Sequence, residues 1–207
     1  MTDEQHLDLQ GRTLTQLVRD EPLLLHEVAD GWARVSALWQ PCPDEAAGYP
    51  GWVRAAHLAL WPRESVWVPA ASIAVDRLQV LETAREHLGL RYLWGGTSPS
   101  GFDCSGLVHH SYRRAGHVVP RDAHAQFTAA EPVELGAEEP GDLYFFAPPG
   151  GEMTHVGFVT HPGHLLHAPG GAVIEEVELS RQLVGILAAV GRFTTEAVVA
   201  VPASLTA

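Results

Sequence analysis

The chain has 207 residues, 46% of them hydrophobic and 18% charged, with 20 Gly and 15 Pro. This balance suits a loop-rich folded protein of one ordinary domain plus a small second one, and excludes a disordered chain. Its 13 Lys and Arg stand against 25 Asp and Glu for a net charge of -12, which repels phosphate backbones and anionic lipid, so neither nucleic acid nor membrane is an expected partner.

The opening Met1–Arg12, M-T-D-E-Q-H-L-D-L-Q-G-R, is acidic with no apolar middle, so it does not read as a secretory signal, and a cytoplasmic location is expected. No apolar run approaches the roughly 18 residues that cross a bilayer. From Leu14 to Leu60 short apolar stretches alternate with turn residues, as in D-G-W-A-R-V-S-A and G-Y-P-G-W-V-R-A, which predicts short strands of a small β-barrel over residues 1–60. Residues 61–74 carry two prolines and no clean periodicity and read as a linker, with Trp61 and Trp67 expected to dock on a neighbour.

A second unit is expected over residues 75–207. Leu78, Leu81, Arg85 and Leu88 fall at three- and four-residue spacing before Gly89, a helix of about three turns. The loop W-G-G-T-S-P-S-G-F leads to Asp103 and Cys104, after which Leu107, Val108, Ser111, Tyr112 and Ala115 mark one helical face ended by Gly116, so Cys104 is expected at a helix N-terminus. Pro120-Arg121-Asp122 opens another short helix, with Asp122 placed to cap it. The runs Gly141–Ala147, His155–Thr160, His164–Ala168 and Val173–Leu179, separated by Pro and Gly, predict strands. Helices first and an antiparallel sheet afterwards make an α+β arrangement. The tail after Thr195 carries no assignment.

Cys42 and Cys104 are the two cysteines. A pair does not make a disulfide framework in a chain this size, so both are expected as free thiols. A thiol is a strong nucleophile as thiolate, and a helix N-terminus with an imidazolium nearby lowers its pKa. Cys104 has that local setting, and Ser105 and Gly106 leave room for a substrate carbonyl beside free first-turn amides; the plain alternative is a buried core cysteine. Such a nucleophile needs a base and a third group that orients it. His155 opens an apolar strand and is expected to project toward the Cys104 helix, with His167 on the next strand as its support. Among 12 histidines, a strand histidine is also often a satisfied polar group. His161, His164 and His167 recur at intervals of three, but Pro162 and Gly163 break any helix that would align them on a metal.

The string R-Y-L-W-G-G-T-S-P-S-G-F-D-C-S-G-L-V-H-H-S-Y-R-R-A-G, continued by V-P-R-D-A-H-A-Q-F, strongly resembles the NlpC family of papain-like cell-wall cysteine peptidases. Pro140–Phe146, Thr154–Val159 and His164–Pro169 follow in the family's order, and the resemblance covers Val75 to about Phe193. It implies a papain-like α+β fold with Cys104 as nucleophile, His155 as general base and then acid, and His167 as the orienting member of a Cys-His-His triad. It also implies the Tyr92 hydroxyl beside the thiol, with Asp103, Ser105 and Asp122 lining the subsite for the peptide's amino end. Tyr92 is otherwise a packing aromatic, and Asp103 and Asp122 otherwise helix caps. The N-terminal part looks like a bacterial SH3-type domain, on D-G-W-A-R-V and G-Y-P-G-W-V. Relatives that pair the two use the barrel to close one end of the cleft and read a free L-alanine amine, which implies that role for Tyr49 and Glu21; a turn residue and an exposed strand charge are the alternatives. Ala123 departs from the serine that many relatives carry after the Asp of P-R-D.

The implied activity is γ-D-glutamyl-L-diamino-acid endopeptidase, acting on peptidoglycan-derived peptides in which L-Ala-γ-D-Glu, with a free N-terminal L-Ala, is joined to the diamino acid, in murein peptide recycling, with no metal or organic cofactor. A wall-binding module with an idle peptidase half and a related papain-like amidase or acyltransferase are the rival expectations.

Overall fold

The computed structural model describes residues 13–60 and 74–194. The opening 12 residues, the segment with Trp61 and Trp67, and the tail after Thr195 lie outside the described residues.

Residues 13–60 build an antiparallel three-stranded sheet in the order β1 (Leu23–Ala29), β2 (Trp32–Ala37), β3 (Tyr49–Arg54), followed by a 3-10 turn at Ala55–His57. The β1–β2 turn is tight because Asp30 and Gly31 both take left-handed backbone, at φ 52 and 78, the conformation that Asp-Gly supplies in two-residue hairpins. Ala33, Val35 and Ala37 are the buried alternate residues of β2. The expected strands are present, and among the described residues they form a meander; the barrel expected over residues 1–60 is not established by it.

The second unit begins with α1 (Arg77–Arg85), whose N-cap Asp76 accepts from the Leu78 and Gln79 amides, each at 3.1 Å. Its buried face is Val80, Leu81 and Ala84, whereas Leu78 and Leu88 are exposed. The expected stripe thus shares only Leu81 with the real one, because Arg85 on that stripe turns outward to an ion pair with Glu176 at 3.0 Å. The glycine-rich loop holds a small hairpin, β4 (Thr97–Ser98) and β5 (Gly101–Phe102). Then come α2 (Cys104–Arg114) and α3 (Ala123–Ala129). Asp122 occupies the N-cap position of α3 but makes no capping bond there; its carboxylate is taken up elsewhere, which corrects the expected role.

A six-stranded antiparallel sheet follows, with β6 (Glu131–Val133), β7 (Leu143–Phe146), β8 (His155–His161), β9 (His164–His167), β10 (Glu175–Glu178) and β11 (Leu187–Arg192) in the spatial order β10-β9-β8-β7-β11-β6. Four of these strands match the expected runs; β6, β11 and the helix α4 (Arg181–Ile186) before β11 were not foreseen. The inner face of the sheet, with Leu143, Phe145, Val156, Phe158 and Leu166, packs against Leu81, Leu107, Val108 and Tyr112 of the two long helices. Its outer face, with Tyr144, Phe146, Val159 and Leu165, is covered by Leu183, Ile186 and Leu187. Because both faces are covered, β7 and β8 read as near-continuous apolar runs rather than alternating ones.

Candidate active site

Cys104 is the first residue of α2, placed there by Asp103, whose carboxylate accepts from the Gly106 amide at 2.7 Å as the N-cap. The loop before it comes so close that a Cβ on Gly106 would run into the Gly96 carbonyl, which is why the Cys-Ser-Gly turn is built from small residues. Asp103 also accepts from the Gly95 amide at 2.9 Å and from both guanidinium amines of Arg121, at 3.1 and 2.6 Å. Ser105 donates to Asp103 at 3.3 Å and accepts from Arg121 at 3.0 Å. Arg121 is 1% exposed, so the charge taken out of water with it is offset by the Asp103 carboxylate. Asp103 and Ser105 are therefore engaged in holding the α2 start. Gln126 of α3 reinforces that turn, donating to the Ser105 and Pro120 carbonyls, each at 2.9 Å.

The backbone amides of Val156 and Ser105 and the Arg121 charge favour the Cys104 thiolate. Burial opposes them, aided by the Asp103 charge, and the thiol is pushed up to about 12. The expectation of a lowered pKa is thus reversed. Both Cys104 and Cys42 are free thiols.

His155 is the first residue of β8. The residues of β8 that face α2 are Val156 and Phe158; His155 lies on the alternate set, its ring against Phe146 and His167. The next residue, Val156, has the amide that acts on the Cys104 thiol. His155 Nε2 and His167 Nδ1 are 2.7 Å apart. Burial lowers the His155 pKa from 6.5 to about 4, with His167 adding to the shift. His167 is 5% exposed, and its pKa too is lowered, by burial, against the pull of Glu175. Gly157, one pleat along from His155, leaves the space His167 occupies: a Cβ there would lie 2.8 Å from that of His167.

Tyr92 is half-buried, its amide donating to the Ala172 carbonyl at 2.8 Å. Its hydroxyl pKa is raised by burial and next by the Cys104 charge, which places the phenol in the field of the thiol. Tyr49, at the start of β3, donates its hydroxyl to Asp122 at 3.0 Å. Beside it, the Arg121 amide donates to the Pro41 carbonyl at 3.3 Å and the Arg121 guanidinium to Thr15 Oγ1 at 2.8 Å. The N-terminal unit therefore touches the second unit where Asp122 and Arg121 stand. Glu21 is neither an exposed strand charge nor an open ligand: it is 8% exposed, precedes β1, and accepts from the Val18 amide at 2.9 Å and Gln40 at 2.8 Å. His161 and His164 stack on each other across the β8–β9 turn, ring centroids 3.7 Å apart, while His167 pairs with His155, so the three do not converge.

Arg121, Gln126 and Glu175 were not singled out from the sequence. Arg121 stood inside the P-R-D string, and its role was readable only as a charge that must find a partner once buried.

Residues 89–185 match the NlpC/P60 family. The chain is 38% identical over 124 residues to the gamma-D-glutamyl-L-lysine dipeptidyl-peptidase of Bacillus subtilis, covering 58% of this chain and 42% of that protein. It is 35% identical over 94 residues to a probable endopeptidase p60 of Listeria seeligeri, covering 45% and 18%. The chain thus spans less than half the length of these relatives. Among solved structures, an NlpC/P60 family protein from Bacillus cereus superposes with a TM-score of 0.81 at 22% identity over 93% of this chain and 87% of that one, a likeness of fold. The NlpC/p60 domain of the peptidoglycan hydrolase SagA gives 0.52 at 27% identity over 57% and 100%.

Proposed function

We propose, from the premise that residues 89–185 are an NlpC/P60 family domain of the cysteine-peptidase class, that this chain is a γ-D-glutamyl-L-diamino-acid endopeptidase. It cuts the amide between D-glutamate and L-lysine, diaminopimelate or a similar diamino acid in peptidoglycan-derived peptides. The observation that carries this reading is Cys104 at a helix start, its thiolate favoured by the amide that follows His155, with His155 itself bonded to His167. The name of the Bacillus subtilis relative supports the choice of bond.

In this reading His155 takes the thiol proton at Nδ1, the ring nitrogen not engaged with His167, and the thiolate adds to the γ-carbonyl of D-glutamate. The Tyr92 hydroxyl and the amides at the start of α2 hold the oxyanion. The imidazolium then gives its proton to the leaving amine, freeing the diamino acid. A water molecule, deprotonated by the same imidazole, cleaves the thioester to release the glutamate carboxylate and restore the thiol. The cycle calls on no metal or organic cofactor. The amino end of the peptide lies toward Asp122 and Tyr49, whose bond joins the two halves of the chain. That closure supports the recycling of small peptides with a free L-Ala amine over the cutting of intact wall. Glu21 has no part in it, its carboxylate being engaged with Gln40 and Val18.

Mass spectrometry of L-Ala-γ-D-Glu-L-Lys incubated with the protein tests the reading. The expected products are L-Ala-γ-D-Glu and L-Lys, with Cys104→Ala reducing turnover about 10⁴-fold or more. An uncut peptide would favour a binding module, and a cut elsewhere a related amidase. Equal rates on the N-acylated peptide would remove recognition of the free amine.

A further inference from the structure

The Cys104–His155–His167 set leaves one question of protons open: a histidine pair joined through Nε2 and Nδ1 works as a base only if the right nitrogen is bare. For His155 to accept from the thiol at Nδ1, its own proton must stand on Nε2 and point to His167 Nδ1, 2.7 Å away. His167 Nδ1 must then be bare, with its proton on Nε2. Nothing in the two rings enforces this, since the mirror arrangement makes the same hydrogen bond with His155 Nδ1 protonated and useless.

Glu175 breaks the symmetry. It lies directly across from His167 in the β9–β10 register, and its carboxylate oxygen is 3.5 Å from His167 Nε2. An ionised carboxylate only accepts, so the proton of His167 belongs on the nitrogen that faces it. We propose that Glu175 is a positioning residue that fixes the tautomers of His167 and, through it, of His155, leaving His155 Nδ1 free to take the Cys104 proton. This rests on the peptidase reading above.

The surroundings of the pair support the assignment. His155 has Phe146 on one side and His167 on the other, and the charge acting on His167 is that of Glu175, which raises its pKa against burial. The Glu175 carboxylate is 45% exposed, and its oxygen reaches the 6% exposed imidazole side chain of His167. Neighbouring Glu176 points away, to Arg85 at 3.0 Å.

The test uses the full chain with Glu175→Ala and Glu175→Gln, on the γ-linked tripeptide, with Cys104→Ala and His155→Ala as controls. Expected is a roughly threefold fall in kcat for Glu175→Ala, the worth of one ion contact partly screened by solvent, with KM little changed. In both Glu175 variants the acid limb of the pH profile moves to lower pH, because the lost charge favoured the protonated imidazole pair. Histidine ¹⁵N chemical shifts supply a readout independent of turnover: Nε2-protonated forms of His155 and His167 in the parent, mixed tautomers in Glu175→Ala. An unmoved acid limb with unmixed tautomers, or an effect confined to KM, overturns the proposal while leaving the peptidase reading intact. Turnover surviving in the two controls overturns the peptidase reading itself.

Discussion

At the residue scale, Cys104 shows which of two opposed effects is larger. A helix N-terminus favours a thiolate by about 0.3–1 kcal/mol, whereas full burial shifts a titratable group by up to about 3–5 pKa units. Burial wins, and the thiol is pushed up to about 12 while His155 is pulled down to about 4. Near neutral pH the resting pair is a thiol beside a neutral imidazole, so the proton moves during the attack. His155 accepts a proton only when it is unprotonated, so activity is lost as pH falls through its pKa. The acid limb of kcat/KM is therefore expected near pH 4. A pH–rate profile with that limb at the ordinary histidine value, about 6.5, would contradict the burial argument. The helix start at Cys104 and the strands that hold His155 and His167 were legible in the sequence because cap residues and strand-forming runs are local signals. The direction of the thiol shift was not, because desolvation depends on what packs over the sulfur from β8.

At the element scale, β8 and β9 hold the histidines through a glycine. A methyl group at position 157 would meet Leu165, the His167 Cβ and the Leu166 carbonyl, the last two at 2.8 Å. Overpacking of this kind costs about 1–3 kcal/mol, and here the side chain displaced is one half of the histidine pair. Gly157→Ala is expected to lower Tm and to reduce kcat by about tenfold or more, as one lost charge-assisted bond would. Gly185 in α4 is the control, since a Cβ there meets nothing within 4 Å and Ala is the better helix former; Gly185→Ala should leave both unchanged or raise Tm. Thermal unfolding with steady-state rates separates the two outcomes. The H-V-G-F-V run predicted the strand, but not that its glycine is a spacing device, which requires knowing that β9 lies against it.

At the scale of the whole molecule, the N-terminal unit is fastened to the second unit around Arg121 and Asp122. Gln16 accepts from the Thr97 amide at 3.1 Å and the Ser98 hydroxyl at 2.8 Å, Trp94 donates to the Thr13 carbonyl at 3.0 Å, and Tyr49 donates to Asp122 at 3.0 Å. Losing the Tyr49 bond removes about 1 kcal/mol, which corresponds to about fivefold in binding. Tyr49→Phe should therefore raise KM for the free-amine tripeptide about fivefold with kcat held, and change the N-acylated peptide little. Initial rates on the two substrates decide it; an equal effect on both would place Tyr49 in the architecture alone.

By itself the sequence determined the pieces whose signal is local: a capped helix beginning at Cys104 and strands beginning at His155 and His164. Tertiary structure decided the rest. It inserted β11 between β7 and β6, buried Arg121 on Asp103, engaged Glu21 with Gln40, sent Asp122 to Tyr49, and set Glu175 against His167. The physical reason is that hydrogen bonds within a turn or along a strand are fixed by neighbours in the chain. The partners and pKa values of buried charges are fixed by groups tens of residues away that share the same dry space.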